Sequence, residues 1–457
     1  MELSFNELVN GLEGEVLTKG SIEFNELSTD TRKIQENNIF LALKGDNFNG
    51  NKYIKDAFDK GASIAIIDEV FIDVDDYRDK KTIIKVNNCN EALLSLAKFY
   101  REKLGVKVVG VTGSCGKTST KDLVAAFLSE KYKVFKTKGN FNNHIGMPLM
   151  ILQLDSTYDV AVLELGMSNL GEIHTLANCA RPDIALITNI GLSHIENLKT
   201  RENILKAKLE ITDFFTKDNT LIVNAESDYL NDLLPKEYTL LKTGLNEECD
   251  YYATDIIATN ESTQFTVSHN GVNHKFTLNM IGAHNVLNAL LAIAAANKLG
   301  VSYDEMEKGL NNIENTSMRL EFIKGDNITI INDCYNASPD SMKAAVDVLY
   351  NAEGKRKVAI LGTMLELGEE SKKAHKDVAE YARDKVDLLI VTGDYGEDYR
   401  AGYRSDTIEV YNTKQELINN LKNNILKEDV ILVKASRGMK YEEIVNELRR
   451  IENDGIN

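Results

Sequence analysis

Residues Val108 to Lys121 read V-V-G-V-T-G-S-C-G-K-T-S-T-K, an apolar run that breaks at small residues and resumes with polar ones. This pattern predicts a strand, a tight turn and a helix start. Gly113 and Gly116 allow the backbone N–H groups around Ser114 and Cys115 to converge on an anion at the helix N-terminus. Lys117 can reach terminal phosphates, and the Thr118 hydroxyl, with Ser119 beside it, can serve Mg²⁺ and the nucleotide. A nucleoside triphosphate is the expected ligand. The regular spacing G-x-x-x-x-G-K-[ST] would place its first glycine where this chain has Val111, so the loop is a shorter variant. Cys115 reads as a small filler within it.

Two further groups suit the same chemistry. Glu164 ends the run Y-D-V-A-V-L-E-L-G, and a carboxylate at the end of an apolar strand is placed to hold Mg²⁺. His194 closes T-N-I-G-L-S-H after the next strand and is a candidate second metal ligand. The stretch G-N-F-N-N-H-I-G-M-P, with Asn140, Asn142 and Asn143, offers amide donors to phosphoryl oxygens without adding charge.

These residues need a scaffold. Strands are predicted at Ile39–Leu43 and Ser63–Ile67 with a helix at Tyr53–Lys60 between them, forming a small α/β unit to residue 84. Its turn K-G-D-N-F-N-G, Lys44 to Gly50, lies at a strand's carboxyl end, where α/β sheets bind ligands. From 85 to 314 a helix at Glu91–Glu102, the phosphate-loop strand and strands at Asp159–Leu163 and Asp183–Thr188 predict a doubly wound sheet. An antiparallel patch over Tyr251–Met280, turning at His269–Gly271, and a helix at Asn285–Lys298 extend it. From 315 to 457, strands at Ile328–Ile331, Val358–Leu361, Leu388–Val391 and Val430–Val433 predict a second, Rossmann-like sheet. The expected architecture is α/β with three domains.

The chain has 457 residues with 43% hydrophobic and 27% charged content, ordinary for a globular protein of about three domains. A net charge of −17 argues against nucleic acid or a membrane surface as partner. The five cysteines form no C-x-x-C pair, which fits a reducing compartment. No apolar run approaches about 18 residues. A cytoplasmic monomer is expected.

Taken in order, T-G-S-C-G-K-T, G-N-F-N-N-H-I-G-M-P, E-L-G, N-I-G-L-S-H, G-A-H-N-V-L-N-A and R-L-E resemble the Mur ligase superfamily, ATP-dependent enzymes that join an amino acid or peptide to a carboxylate. I-N-D-C-Y-N-A-S-P-D-S-M, L-G-T-M-L-E-L-G and V-K-A-S-R-G-M-K are similar to the branch that adds D-alanyl-D-alanine to UDP-N-acetylmuramoyl-tripeptide in peptidoglycan precursor synthesis. The N-terminal S-T-D-T-R-K and F-L-A-L-K-G-D-N-F-N-G also resemble that branch. Thr363 and Asn49 stand where the family commonly has acidic residues. The alternatives are another Mur-type or folylpolyglutamate-type ligase, or a non-catalytic nucleotide-binding relative.

The resemblance implies phosphorylation of a peptidyl carboxylate by ATP, then attack by an amine on the acyl phosphate. It assigns catalysis to Lys117, Glu164, His194, Lys208 and Arg319. One Mg²⁺ falls to Thr118 and Glu164. A second falls to His194 and a carbamylated lysine at Lys208, with Lys206 the nearest alternative. ATP would also meet Asn285, Asn288, Asp333, Tyr335 and Asn336. Thr31, Arg32, Lys44, Gly45, Asp46, Asn49 and Gly50 would hold the uridine diphosphate moiety, and Lys434, Ser436 and Arg437 the dipeptide carboxylate.

Overall fold

The computed structural model describes residues 1–259, 262–313 and 317–455, organised around three main sheets. The expected boundary between 314 and 315 falls outside the described residues. The N-terminal sheet has five strands. Leu27–Ser28, Ile39–Leu41, Ile64–Ile67 and Thr82–Lys85 run parallel, and Glu15–Thr18 closes the edge antiparallel. The Lys44–Gly50 stretch is not an open loop. Lys44–Gly45 and Phe48–Asn49 pair as a minimal antiparallel hairpin, with Asp46 in its turn.

The middle sheet has nine strands. The phosphate-loop strand, Lys107–Thr112, lies between Val160–Glu164 and Ile184–Ile187, all parallel. Val134–Lys136 continues one side; Thr220–Asn224 and Thr239–Gly244 continue the other. The chain crosses from one side of Lys107–Thr112 to the other, so the crevice at its carboxyl end is the topological switch point where such sheets bind ligands. Tyr251–Ala258, Thr263–His269 and Val272–Leu278 add the expected antiparallel patch. The helix Ala283–Lys298 is apolar nearly all round and buried from Val286 to Ala296 except at Leu287, so it serves as a central strut. It packs against the helix that follows the phosphate loop, Lys117–Leu128.

The C-terminal sheet has six strands rather than the four expected from sequence. Thr329–Asn332, Asp429–Lys434, Arg356–Leu361 and Leu388–Thr392 match the expected core. Ile408–Tyr411 and the antiparallel Glu321–Lys324 form its two edges. Both edge strands are half-solvated and interrupted by charge, so neither stands out as an apolar run.

The phosphate loop is pinned from two sides. Ser114 N–H donates to the Asn189 carbonyl at 3.0 Å and Cys115 N–H to Asn189 Oδ1 at 2.8 Å, while Thr188 Oγ1 donates to the Cys115 carbonyl. Gly113 has φ +147°, and a Cβ there would lie 1.8 Å from Thr188 Oγ1. Gly116 has φ +81°, and its Cβ would meet Asn288 Oδ1 at 2.6 Å. Only glycine fits either place. Gly113→Ala is therefore expected to cost about 1–3 kcal/mol in chemical denaturation, with partial recovery in the Gly113→Ala/Thr188→Ala double variant. Unchanged midpoints would contradict the packing.

Candidate active site

The carboxyl ends of the middle and C-terminal sheets face each other across a cavity of about 820 Å³. Ser114 to Ser119, Asn142, Asn143, Glu164, His194, Lys208, Asn285 and Asn288 line it from the middle body. Arg319, Asp333, Tyr335, Asn336 and Lys434 line it from the C-terminal body. Residues scattered over more than 300 positions thus share one space. Gly113, Asn140, Ser436 and Arg437 lie outside its lining, as do Thr31, Arg32, Lys44, Gly45, Asp46, Asn49 and Gly50 on the N-terminal body.

Lys117 folds back over its own loop, donating to the Gly113 and Ser114 carbonyls at 2.8 and 3.4 Å. Glu164 is buried at its strand end, and both oxygens are held: Thr118 Oγ1 donates to one at 2.9 Å and Asn142 Nδ2 to the other at 2.8 Å. The Asn-rich segment therefore orients this carboxylate. Lys208 is 2% exposed, and its side chain has no hydrogen-bond partner among the described residues. Desolvation, with Lys117 nearby, holds its amine well below the ordinary lysine range. His194 takes a left-handed backbone conformation at the start of the short helix Ile195–Leu198, and its Nδ1 lies 2.5 Å from Glu366 Oε2 of the C-terminal body. His194 holds the Glu366 carboxyl below its usual range.

On the facing side, the Arg319 guanidinium lies 4.1 Å from the centre of the Tyr335 ring, and its Nε is buried with no hydrogen-bond partner among the described residues. Asp333 accepts from Lys434 Nζ at 2.5 Å and from Leu320 N–H at 3.2 Å. Lys434 also donates to the Asn336 carbonyl at 2.9 Å, so a buried ion pair ties Asp333, Asn336 and the Asp429–Lys434 strand together. Ser436 bridges Leu365 N–H and the Ala337 carbonyl, at 2.9 and 3.4 Å. Arg437 is half-exposed and pairs with Glu442 at 3.1 Å. On the N-terminal body, Arg32 forks onto Asp30, and Lys44 and Asn49 both reach Glu69 at 2.5 and 2.7 Å.

Three participants escape sequence reasoning. Glu366 lies within L-G-T-M-L-E-L-G, but no spacing connects it to His194. Asp340, in the first turn of helix Pro339–Asn351, lines the cavity against Gly191, and desolvation raises its carboxyl pKa. His284, in G-A-H-N, also lines the cavity, and desolvation lowers its pKa against the pull of Asp333. A motif was present for each, but its partner is distant in the chain.

The geometry agrees with what the chain resembles. The Mur ligase middle-domain model matches residues 111–296, the Mur ligase glutamate-ligase-domain model 318–437, and the Mur ligase catalytic-domain model 23–101. A UDP-N-acetylmuramoyl-tripeptide–D-alanyl-D-alanine ligase of Bacillus subtilis (strain 168) is 42% identical over 429 residues, 92% of each chain. The crystal structure of MurF from Acinetobacter baumannii superposes with a TM-score of 0.91 at 29% identity, over 98% of both chains. MurF of Thermotoga maritima, solved in complex with ADP, superposes with a TM-score of 0.84 at 27% identity, over 94% of this chain and 98% of that one. The chain belongs to the Mur ligase family, on the branch of the UDP-N-acetylmuramoyl-tripeptide–D-alanyl-D-alanine ligases.

Proposed function

We propose that this chain uses ATP to join D-alanyl-D-alanine to UDP-N-acetylmuramoyl-tripeptide, working as a cytoplasmic monomer in peptidoglycan precursor synthesis. One observation carries the reading: the phosphate loop and its acid share a cavity with cationic and aromatic groups of the C-terminal body, in a chain aligned with such ligases along nearly its whole length. All five cysteines are free, in keeping with a reducing compartment. Among the described residues no helix is long and apolar enough to cross a membrane.

In the reaction, the tripeptide's terminal carboxylate attacks the γ-phosphorus of ATP, the bond to the β-phosphate oxygen breaks, and an acyl phosphate and ADP result. The dipeptide amine then attacks the acyl carbon, its proton is lost, and phosphate leaves. Two anions must meet in the first step, so cationic and N–H donors must surround them. Lys117 is poised to exchange its loop carbonyls for phosphate oxygens, and Arg319 faces it from the other body. Asn285, Asn288, Asp333, Tyr335 and Asn336 would hold the nucleoside. Thr31, Arg32 and the Lys44–Gly50 hairpin would hold the uridine diphosphate. Ser436 and Arg437 would meet the dipeptide carboxylate, with Lys434 holding their wall through Asp333. The working units are 1–84, 85–314 and 315–457.

The residues present suit two Mg²⁺ ions. Thr118 and Glu164 offer hard oxygen ligands for one; His194 and Lys208 would hold the other once Lys208 is carbamylated. Burial favours a neutral, nucleophilic Lys208 amine, the form that adds CO₂, and the carbamate is an anionic oxygen ligand. When bound, these ions neutralise charge as the phosphoryl group transfers. A folylpolyglutamate-type reading accounts less well for the N-terminal hairpin and the Tyr335–Asn336–Ala337 segment.

ADP release with UDP-N-acetylmuramoyl-tripeptide should require D-Ala-D-Ala, with D-Ala, L-Lys and diaminopimelate giving little turnover. Equal use of a single amino acid would overturn the proposal. For the uncarbamylated Lys208 amine, the folded-state pKa is depressed, so its stability contribution is full only above the ordinary lysine value and is lost as pH falls through the folded one. Lys208→Met should therefore unfold at an equal or higher temperature near pH 7 while losing at least about a hundredfold in turnover. A less stable but active variant would contradict this role.

A further inference from the structure

His194 touches the C-terminal body through a carboxylate that is not part of the cavity lining. Glu366 Oε2 lies 2.5 Å from His194 Nδ1, an ion-pair contact in which the ring is not yet aligned for a hydrogen bond, while His194 itself lines the cavity and its Nε2 has no hydrogen-bond partner among the described residues. The backbone reinforces this contact. Glu196 N–H donates to the Glu366 carbonyl at 3.1 Å, and a Cβ built on Gly368 would lie 3.3 Å from Glu196 Cα. The Glu366 loop is fixed to its own body just before the contact: Met364 N–H donates to His375 Nε2 and Leu365 N–H to Ser436 Oγ, both at 2.9 Å. His194 and Glu366 are also both non-glycine residues with positive φ, +63° and +64°.

Stability alone does not account for the pair. The Glu366 side chain keeps 55% of its surface in water, and an ion pair of that exposure adds little to folding. Orientation does account for it. An imidazole whose Nδ1–H faces a carboxylate is held in one ring position and one tautomer, with its lone pair on Nε2.

We propose that Glu366 is a positioning residue: as the C-terminal body closes, its carboxylate engages Nδ1 of His194 and fixes the tautomer that leaves the Nε2 lone pair for the cavity. The role given to that lone pair rests on the ligase reading above. The contact makes the middle body's histidine ready only when the C-terminal body is in place, so that domain closure and site assembly become one event. The Nδ1 proton stays on His194, and no bond is made or broken.

The test is nitrogen-15 NMR of the full chain labelled at its seven histidines, at pH 8 where an ordinary imidazole is neutral, with His194 assigned by its loss in His194→Gln. The ligand-free wild type should show His194 protonated on Nδ1, Glu366→Gln should keep that tautomer through its amide oxygen, and Glu366→Ala should move it toward Nε2–H. Turnover in Glu366→Ala should fall about ten- to a hundredfold, with Glu366→Gln falling less. A wild-type His194 protonated on Nε2, or an unchanged tautomer in folded Glu366→Ala, would overturn the proposal. The wild-type spectrum decides even if the alanine variant does not fold. Failure of the wild type to release ADP with the dipeptide would instead count against the ligase reading and leave the tautomer result standing.

Discussion

The structure depends on a phosphate loop that cannot shape itself. Four residues between a strand and a helix hold their turn because the chain presses on them from outside, and the Ser114 and Cys115 N–H groups, expected to converge on one point, are taken up by Asn189 instead. Thr188 and Asn189, at the end of the neighbouring strand, take up the loop's backbone groups, and Asn288 of the central helix lies against Gly116. The two glycines are consequences of that crowding as much as causes of the turn. The same clamp explains why the central helix is buried on nearly every side: Asn288 can meet the loop only if that helix is locked beneath the sheet.

Charge sets the second constraint. A chain with a net charge of −17 that handles a triphosphate and an acidic peptide must gather its cations locally and keep its own carboxylates occupied. Two carboxylates of the cavity follow that pattern. Glu164 is held by a hydroxyl and an amide, and Asp333 is matched by Lys434. Lys117 and Arg319 keep their charges available from opposite walls, one resting on carbonyls and the other on an aromatic ring. Lys208 differs, being buried with no hydrogen-bond partner among the described residues, and such a group persists where its chemistry requires it.

Much of this was legible in the sequence, and what was missed follows a physical rule. Local patterns carried the loop at Gly113–Thr118, the strand-end Glu164 and the antiparallel patch with its turn at His269–Gly271, because periodicity and turn chemistry act over a few residues. The edge strands Glu321–Lys324 and Ile408–Tyr411 were missed because half-exposed edges lack an apolar run. Lys434, read as a dipeptide-carboxylate residue, also has a buried partner in Asp333 about a hundred residues earlier, a contact that no local pattern announces. Glu366 and His194 show the same limit. Each lies in a recognisable motif, but their meeting depends on how two sheets face each other, and nothing in either segment encodes that.

On the proposed function, one nucleotide is held by both bodies at once. Hydrogen–deuterium exchange of the full chain, with and without ATP, reads this directly. Protection is predicted at the 113–119 loop and, in the same experiment, across 333–337 and at the end of the Asp429–Lys434 strand. Protection confined to the middle body, with the C-terminal segments unchanged at saturating ATP, would contradict the account.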